Sequence, residues 1–166
     1  MKRPILAALL VSLLLPALAA PLGAQGTSVA FGGMKADPTL PVEVTSDSLS
    51  VNRTDGTALF TGNVVVSQGK LRLTAGEVRV EYAAGGSGRV ERMKATGGVT
   101  LVSATEAAEA REALYSVASG TVVMTGDVLL TQGANAMRGQ TLTVDLTAGT
   151  GRMEGRVRTT LAPAKN

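Results

Sequence analysis

The side chains of this sequence that could do chemistry are few, and their types exclude most of it. The 166 residues include no Cys and no His. That removes zinc sites built on those ligands and the Ser-His and Cys-His pairs that activate a nucleophile. Carboxylates remain, and two of them could perform glycosidase-like acid–base work. Glu77 and Glu81, however, alternate with Val78, Val80 and Tyr82, a spacing that puts them on the solvent face of a strand. Asp127 and Asp145 sit at similarly repetitive positions instead of converging on one point. No Gly-x-x-x-x-Gly-Lys-Ser/Thr loop is present to cradle a nucleotide. These residues point to a protein that is not an enzyme, uses no cofactor and binds no metal.

The elements that position the side chains show themselves by repetition. Thr61-Gly62-Asn63-Val64 recurs as Thr96-Gly97-Gly98-Val99, as Thr125-Gly126-Asp127-Val128 and, degraded, as Glu154-Gly155-Arg156-Val157. The motif glycines, Gly62, Gly97, Gly126 and Gly155, follow one another at nearly constant intervals, the last two of them equal. Such a period marks stacked supersecondary units, none able to bury its apolar face alone. Phe60 to Gly69 also aligns without a gap onto Met124 to Gly133, an offset of 64 (60 to 124).

The units read as strands, giving an all-β fold. Lys70–Thr74, Glu77–Tyr82 and Thr141–Leu146 alternate polar and apolar residues, the period-2 sign of a half-buried strand. Extending that phase gives one inward set: Val42, Val44, Leu49, Val51, Phe60, Val64, Val66, Leu71, Leu73, Val78, Val80, Tyr82, Val99, Leu101, Val122, Met124, Val128, Leu130, Leu142, Val144, Leu146, Val157 and Leu161. Turn residues separate the runs at Thr54–Gly56, Gln68–Gly69, Ala84–Gly88, Ala118–Gly120, Gln132–Gly133 and Gly149–Gly151. Ala104–Ala113, with Glu106, Glu109 and Glu112 among alanines, is predicted to be a loop or one helical turn leading into a strand. The strand follows because Arg111–Val117 parallels Asp47–Val51. Gly56 and Gly62 flank one short strand, Gly120 and Gly126 another. Glycines so placed mark bends that turn a strand from one sheet into a second. Aligned bends would give two facing sheets around a groove of V-shaped or jelly-roll section.

Met1-Lys2-Arg3, the apolar run Ile5–Leu15 and then Pro16 read as a secretory signal peptide. The run falls short of the ~20 residues that span a bilayer. Cleavage after Ala19, Ala20 or Ala24 fits, Ala24 being preferred beside the polar Gln25. The organisation is then signal 1–24, linker 25–39, domain 40–163 and tail 164–166. Removing Lys2 and Arg3 lowers Lys+Arg from 16 to 14 against 13 acids, so the charge falls from +3 to +1. With that balance and only Phe31, Phe60, Tyr82 and Tyr115 as aromatics, nucleic-acid binding is excluded. Without disulfides, backbone pairing and aliphatic burial must hold an exported domain together.

Two readings of the interior stand on the residues alone. One is a closed aliphatic core with no ligand, as in a structural or adhesive β-solenoid. The other is a lipid conduit, since an aliphatic lining suits acyl chains at ~0.8 kcal/mol per buried CH₂.

Pro41–Asp47 (Pro-Val-Glu-Val-Thr-Ser-Asp), Phe60–Gly69, Val123–Val128 and the ending Val157–Pro163 together resemble the LptA/OstA family of periplasmic lipopolysaccharide-transport proteins. The resemblance spans about Leu40 to Pro163. It implies a twisted β-jelly roll open at both ends, localised in the periplasm. It implies head-to-tail stacking of the N-terminal edge, Pro41–Thr45, against the C-terminal edge, Arg156–Leu161. It also implies that lipid A's acyl chains lie in a shared groove, with inner- and outer-membrane transport proteins carrying OstA-type domains as partners. Val42 and Val44 match the family's first strand. Phe60, Val64, Val66 and Leu73 match inward positions, and Tyr115 stands where the family often has an aromatic. The implied lipid-binding set is Val42, Val44, Leu49, Val51, Phe60, Val64, Val66, Leu71, Leu73, Val78, Val80, Tyr82, Tyr115, Met124, Val128, Leu130, Leu142 and Val144. Two departures stand out: the Ala/Glu-rich connection Ser103–Ala110, and a fourth motif without its Thr. The family's inner-membrane relative keeps a helical anchor and its outer-membrane relative adds a barrel. A short apolar run and a chain ending at Asn166 favour the soluble periplasmic bridge, with the soluble part of an inner-membrane partner as the alternative.

Overall fold

In the computed structural model, residues 27–30, 34–37, 40–85 and 88–163 are described. The predicted signal segment 1–24 and tail 164–166 lie outside them. The described residues form thirteen strands and no helix. These are β1 (Thr27–Ala30), β2 (Glu43–Thr45), β3 (Ser48–Asn52), β4 (Thr57–Gln68), β5 (Leu71–Tyr82), β6 (Val90–Thr96), β7 (Val99–Val102), β8 (Glu106–Ala110), β9 (Glu112–Ser116), β10 (Thr121–Gln132), β11 (Asn135–Asp145), β12 (Thr150–Glu154) and β13 (Arg158–Thr160).

The long strands serve two sheets. Pairing of β4 with β5 shifts register between Thr61 and Val64, and that of β10 with β11 between Thr125 and Val128. Before each break the half-strands join a first sheet, in the order β3, β4, β5, β6, β9, β10, β11, β12, β1. Beyond it they join a second sheet, in the order β2, β4, β5, β7, β8, β10, β11, β13. All pairings are antiparallel, and the two layers make a β-jelly roll.

The repeated motif is the hinge between the layers. Gly62 and Asn63 have φ of 77° and 47°, Gly126 and Asp127 of 89° and 50°. Two successive left-handed residues turn the strand, and Asn, Asp and Gly tolerate that region best. The first position also excludes a side chain, because a Cβ on Gly62 would collide with Oδ2 of Asp47.

The registers reveal an internal duplication. Val44 pairs with Val66 and Ala108 with Leu130; Leu49 pairs with Phe60 and Ala113 with Met124. Each second pair follows the first at the same offset of 64 (44 to 108, 66 to 130, 49 to 113, 60 to 124). Further on, Leu73↔Leu101 recurs as Met137↔Thr159, the last partner shifted by 58 (101 to 159) because the turn before β12 is shorter than that before β6. The fold is therefore two six-strand repeats, β2–β7 and β8–β13, joined through β7–β8 and β6–β9. Strand β1 belongs to neither.

Three features differ from the sequence expectation. Glu106–Ala110 is strand β8 and not a helical turn, because its backbone pairs on both sides, with β7 and with β10. Thr27–Ala30, placed in the linker, pairs with β12. The expected terminal edges, Pro41–Thr45 and Arg156–Leu161, contain only β2 and β13, the ends of the second sheet. The first sheet ends instead at β3 and at β1.

Candidate functional site: an apolar groove between the sheets

Alternation along each strand sends one face of both sheets into a common interior. In its C-terminal half the packing is closed. Met124, Val128, Leu130, Leu142 and Val144 are buried, together with Met137 and Met153. Burying each such side chain contributes about 1.5–3 kcal/mol. Near the N-terminal end, Val64, Leu71, Val78 and Val80 are buried too. Val44, Phe60, Val66, Leu73, Tyr82 and Tyr115 are only partly so, packed against that core.

At the N-terminal end itself the apolar surface opens to solvent. Val42 is 45% exposed, Leu49 55% and Val51 61%. The sequence phase places Leu49 and Val51 inward, and their partners Phe60 and Ala58 do face the core. What differs is cover. In the second repeat Ala113 and Tyr115 stand at the equivalent positions, and β6 runs alongside them through Ala95 and Met93. No described strand lies beside β3 in that way.

Between the halves lies an apolar cavity of about 60 Å³. Its walls include Val42, Val66, Leu71 and Leu73 from the second-sheet side and Val78, Met93, Ala95, Ala113, Tyr115 and Val122 from the first. A water needs about 10–15 Å³ by the same measure, so the space admits a few small groups. A long acyl chain would have to part the sheets. Burial holds the Tyr115 hydroxyl above its ordinary pKa. Among the described residues one carboxylate, Glu106 on β8, is buried. Its Oε1 accepts from Gln132 Nε2 at 3.0 Å and its Oε2 from Ser103 Oγ at 3.0 Å. With those partners it is satisfied within the fold.

Sequence phase missed Met93, Ala95 and Ala113. Where β5 pairs with β6 the register shifts between Glu81 and Tyr82, whose partners on β6 are Arg92 and Val90, and the extra residue there breaks the alternation that would have revealed Met93. It also missed Met34, fully buried in the core although it lies in the supposed linker. The neighbouring Ala36 donates its N–H to the Leu146 carbonyl at 3.1 Å.

A two-layered antiparallel jelly roll with hinged long strands and an apolar interior open at one end defines a class of β proteins. The chain belongs to the family described as LptA/(LptD N-terminal domain) LPS transport protein, whose model matches residues 43–150. An uncharacterized protein of Rhizobium meliloti (strain 1021) is 34% identical over 150 residues, 84% of this chain and 81% of that protein. Among solved structures, the crystal structure of LptH, the LptA-homologous periplasmic component of the lipopolysaccharide transport device of Pseudomonas aeruginosa, superposes with a TM-score of 0.68. It does so at 20% identity, over 77% of this chain and 99% of that one.

Proposed function

We propose that this protein is a periplasmic lipopolysaccharide carrier, which holds lipid A acyl chains between its sheets and passes them from inner-membrane to outer-membrane transport complexes. The observation that carries this reading is the interior itself: an apolar groove, lined from both sheets, that runs out to exposed Val42, Leu49 and Val51 in a chain of an LPS transport family. Apolar attraction is non-directional and proportional to area, so such a lining accepts acyl chains of varied pattern. The lipid-contacting set proposed is the partly buried group Val44, Phe60, Val66, Leu73, Tyr82 and Tyr115 with the open-end residues. The closed set around Met124 and Leu142 joins only when the sheets part. Copies stack head to tail, so that the groove continues from one to the next.

A photo-crosslinking side chain at Val66 tests this in cells, with the outward, exposed Arg79 as control. The expected result is a lipopolysaccharide adduct from position 66 and none from 79. No adduct from 66, or equal adducts from both, would overturn the reading and favour a closed, ligand-free core.

A further inference from the structure

Resting on the head-to-tail reading, the geometry points to a more specific device: strand β1 is a built-in mimic of the edge strand β3 of a second copy. It occupies the place where that strand docks.

The internal junction between repeats supplies the template. There β6 pairs with β9 as Arg92↔Ser116, Met93↔Tyr115, Lys94↔Leu114 and Ala95↔Ala113. Strand β12 is the second-repeat equivalent of β6, Met153 answering to Ala95, and β3 is the first-repeat equivalent of β9, Leu49 answering to Ala113. Transposing the junction therefore puts Thr150 opposite Asn52 of a second copy, Gly151 opposite Val51, Arg152 opposite Ser50 and Met153 opposite Leu49. In this structure those four positions of β12 are filled. Thr150 pairs with Ala30, Gly151 with Val29, Arg152 with Ser28 and Met153 with Thr27.

Direction and register thus coincide with those of the docking strand, residue for residue. Thr27-Ser28-Val29-Ala30 stands where Leu49-Ser50-Val51-Asn52 would stand, and the central Ser-Val is common to both. After β1 the chain leads to Met34, which is fully buried in the core, and to Ala36, tied to Leu146. A bare sheet edge is a template for adding a strand, and end units of stacked repeats need a cap. Strand β1 is such a cap for the C-terminal end. Leu49 and Val51 remain exposed at the other end because the strand that covers them is β12 of the preceding copy. Assembly is then a strand exchange, in which β3 of the incoming copy replaces β1 and Met34 is drawn out with it.

The chain has no cysteine, so an engineered pair gives one defined bridge. Ser28→Cys with Arg152→Cys locks β1 onto β12 when oxidised and frees it when reduced. The result expected by light scattering is loss of concentration-dependent association in the oxidised protein and its return with dithiothreitol. Ser50→Cys with Arg152→Cys, in a chain with β1 unlocked, should give a ladder of disulfide-linked multimers on a non-reducing gel. Equal association of the locked and unlocked protein would overturn the mimicry and leave head-to-tail stacking standing by another route. A protein that stays monomeric in both redox states and forms no ladder would overturn both.

Discussion

Asn63 donates through Nδ2 to Oδ2 of Asp47 at 2.8 Å, and at the matching place in the second repeat Arg111 donates to the carboxylate of Asp127. In both repeats the left-handed residue of the hinge is fastened to the residue just before the short strand, β3 or β9, that pairs with the hinged strand. The backbone repeats the clasp: Asp47 N–H donates to Gly62 O at 2.9 Å, and Arg111 N–H to Gly126 O at 3.1 Å. Arg111 and Asp127 are largely exposed, and surface ion pairs contribute about 0–1 kcal/mol. The hinge therefore rests on conformation more than on charge.

Asn63→Val should for that reason lower stability by roughly 1–2 kcal/mol, the cost of forcing a β-branched residue into the left-handed region. Asn63→Gly should leave stability nearly unchanged. Urea denaturation of the two variants checks the difference.

The two ends of the groove should respond differently to truncation. Leu142→Ala, in the closed half, is expected to cost about 2–5 kcal/mol. Val51→Ala, on the open end, should stay within about 0.5 kcal/mol of the parent. Denaturation midpoints compared at equal protein concentration report both.

That contrast also marks what the sequence could and could not tell. Alternation places Leu49 and Leu142 on the same inward phase, and both do face the groove side of their sheets. Phase, however, fixes only direction. Cover depends on which strand lies alongside, and that is set by pairing across the whole chain. The same limit hid β1, whose short run carries no period of its own and whose partner, β12, lies near the opposite end of the chain. Strand β8 misled for another reason. Ala and Glu are good helix formers, and pairing on both sides outweighs that preference. Strand β4 and its echo β10 are legible because Phe60–Gly69 recurs as Met124–Gly133 at a fixed offset, and β5 and β11 because Lys70–Thr74, Glu77–Tyr82 and Thr141–Leu146 alternate.

If the groove holds lipid as proposed, a charge placed in its lining should abolish binding. Val66→Asp puts an unpaired carboxylate among apolar groups, a strongly disfavoured position, whereas Arg79→Asp changes only the outer face. Loss of lipid A binding is expected in the first and retained binding in the second, with circular dichroism showing both folded. Equal binding would mean that position 66 does not meet lipid.

Tyr115 should make stability pH-dependent in alkali. Burial raises its pKa in the fold above the unfolded value of 10.0. The neutral phenol is favoured by folding, so its contribution is complete below pH 10.0 and is lost as pH rises through the folded value. Melting temperatures followed upward from pH 9 should fall more steeply for the parent than for Tyr115→Phe.

The proposed head-to-tail stacking would carry a testable charge pair. Transposing the β7–β8 junction sets Thr160 opposite Glu43 of a second copy and Arg158 opposite Thr45, so Glu43 and Arg158 become diagonal neighbours on the outer face. Such cross-strand pairs contribute roughly 0.2–1 kcal/mol. Glu43→Arg or Arg158→Glu alone should weaken self-association, and the double exchange should restore it in sedimentation experiments.

The scarcity of polar groups along the groove has a consequence for motion. A guest held by a smooth aliphatic wall meets almost the same environment at every step, with no hydrogen-bonding foothold to favour one station over the next. Once the sheets have parted to admit it, its energy profile along the axis is close to level. A level track neither stalls cargo nor gives it a heading, so in the proposed carrier net flow would come only from filling at one end and emptying at the other, as in a pipe fed under pressure.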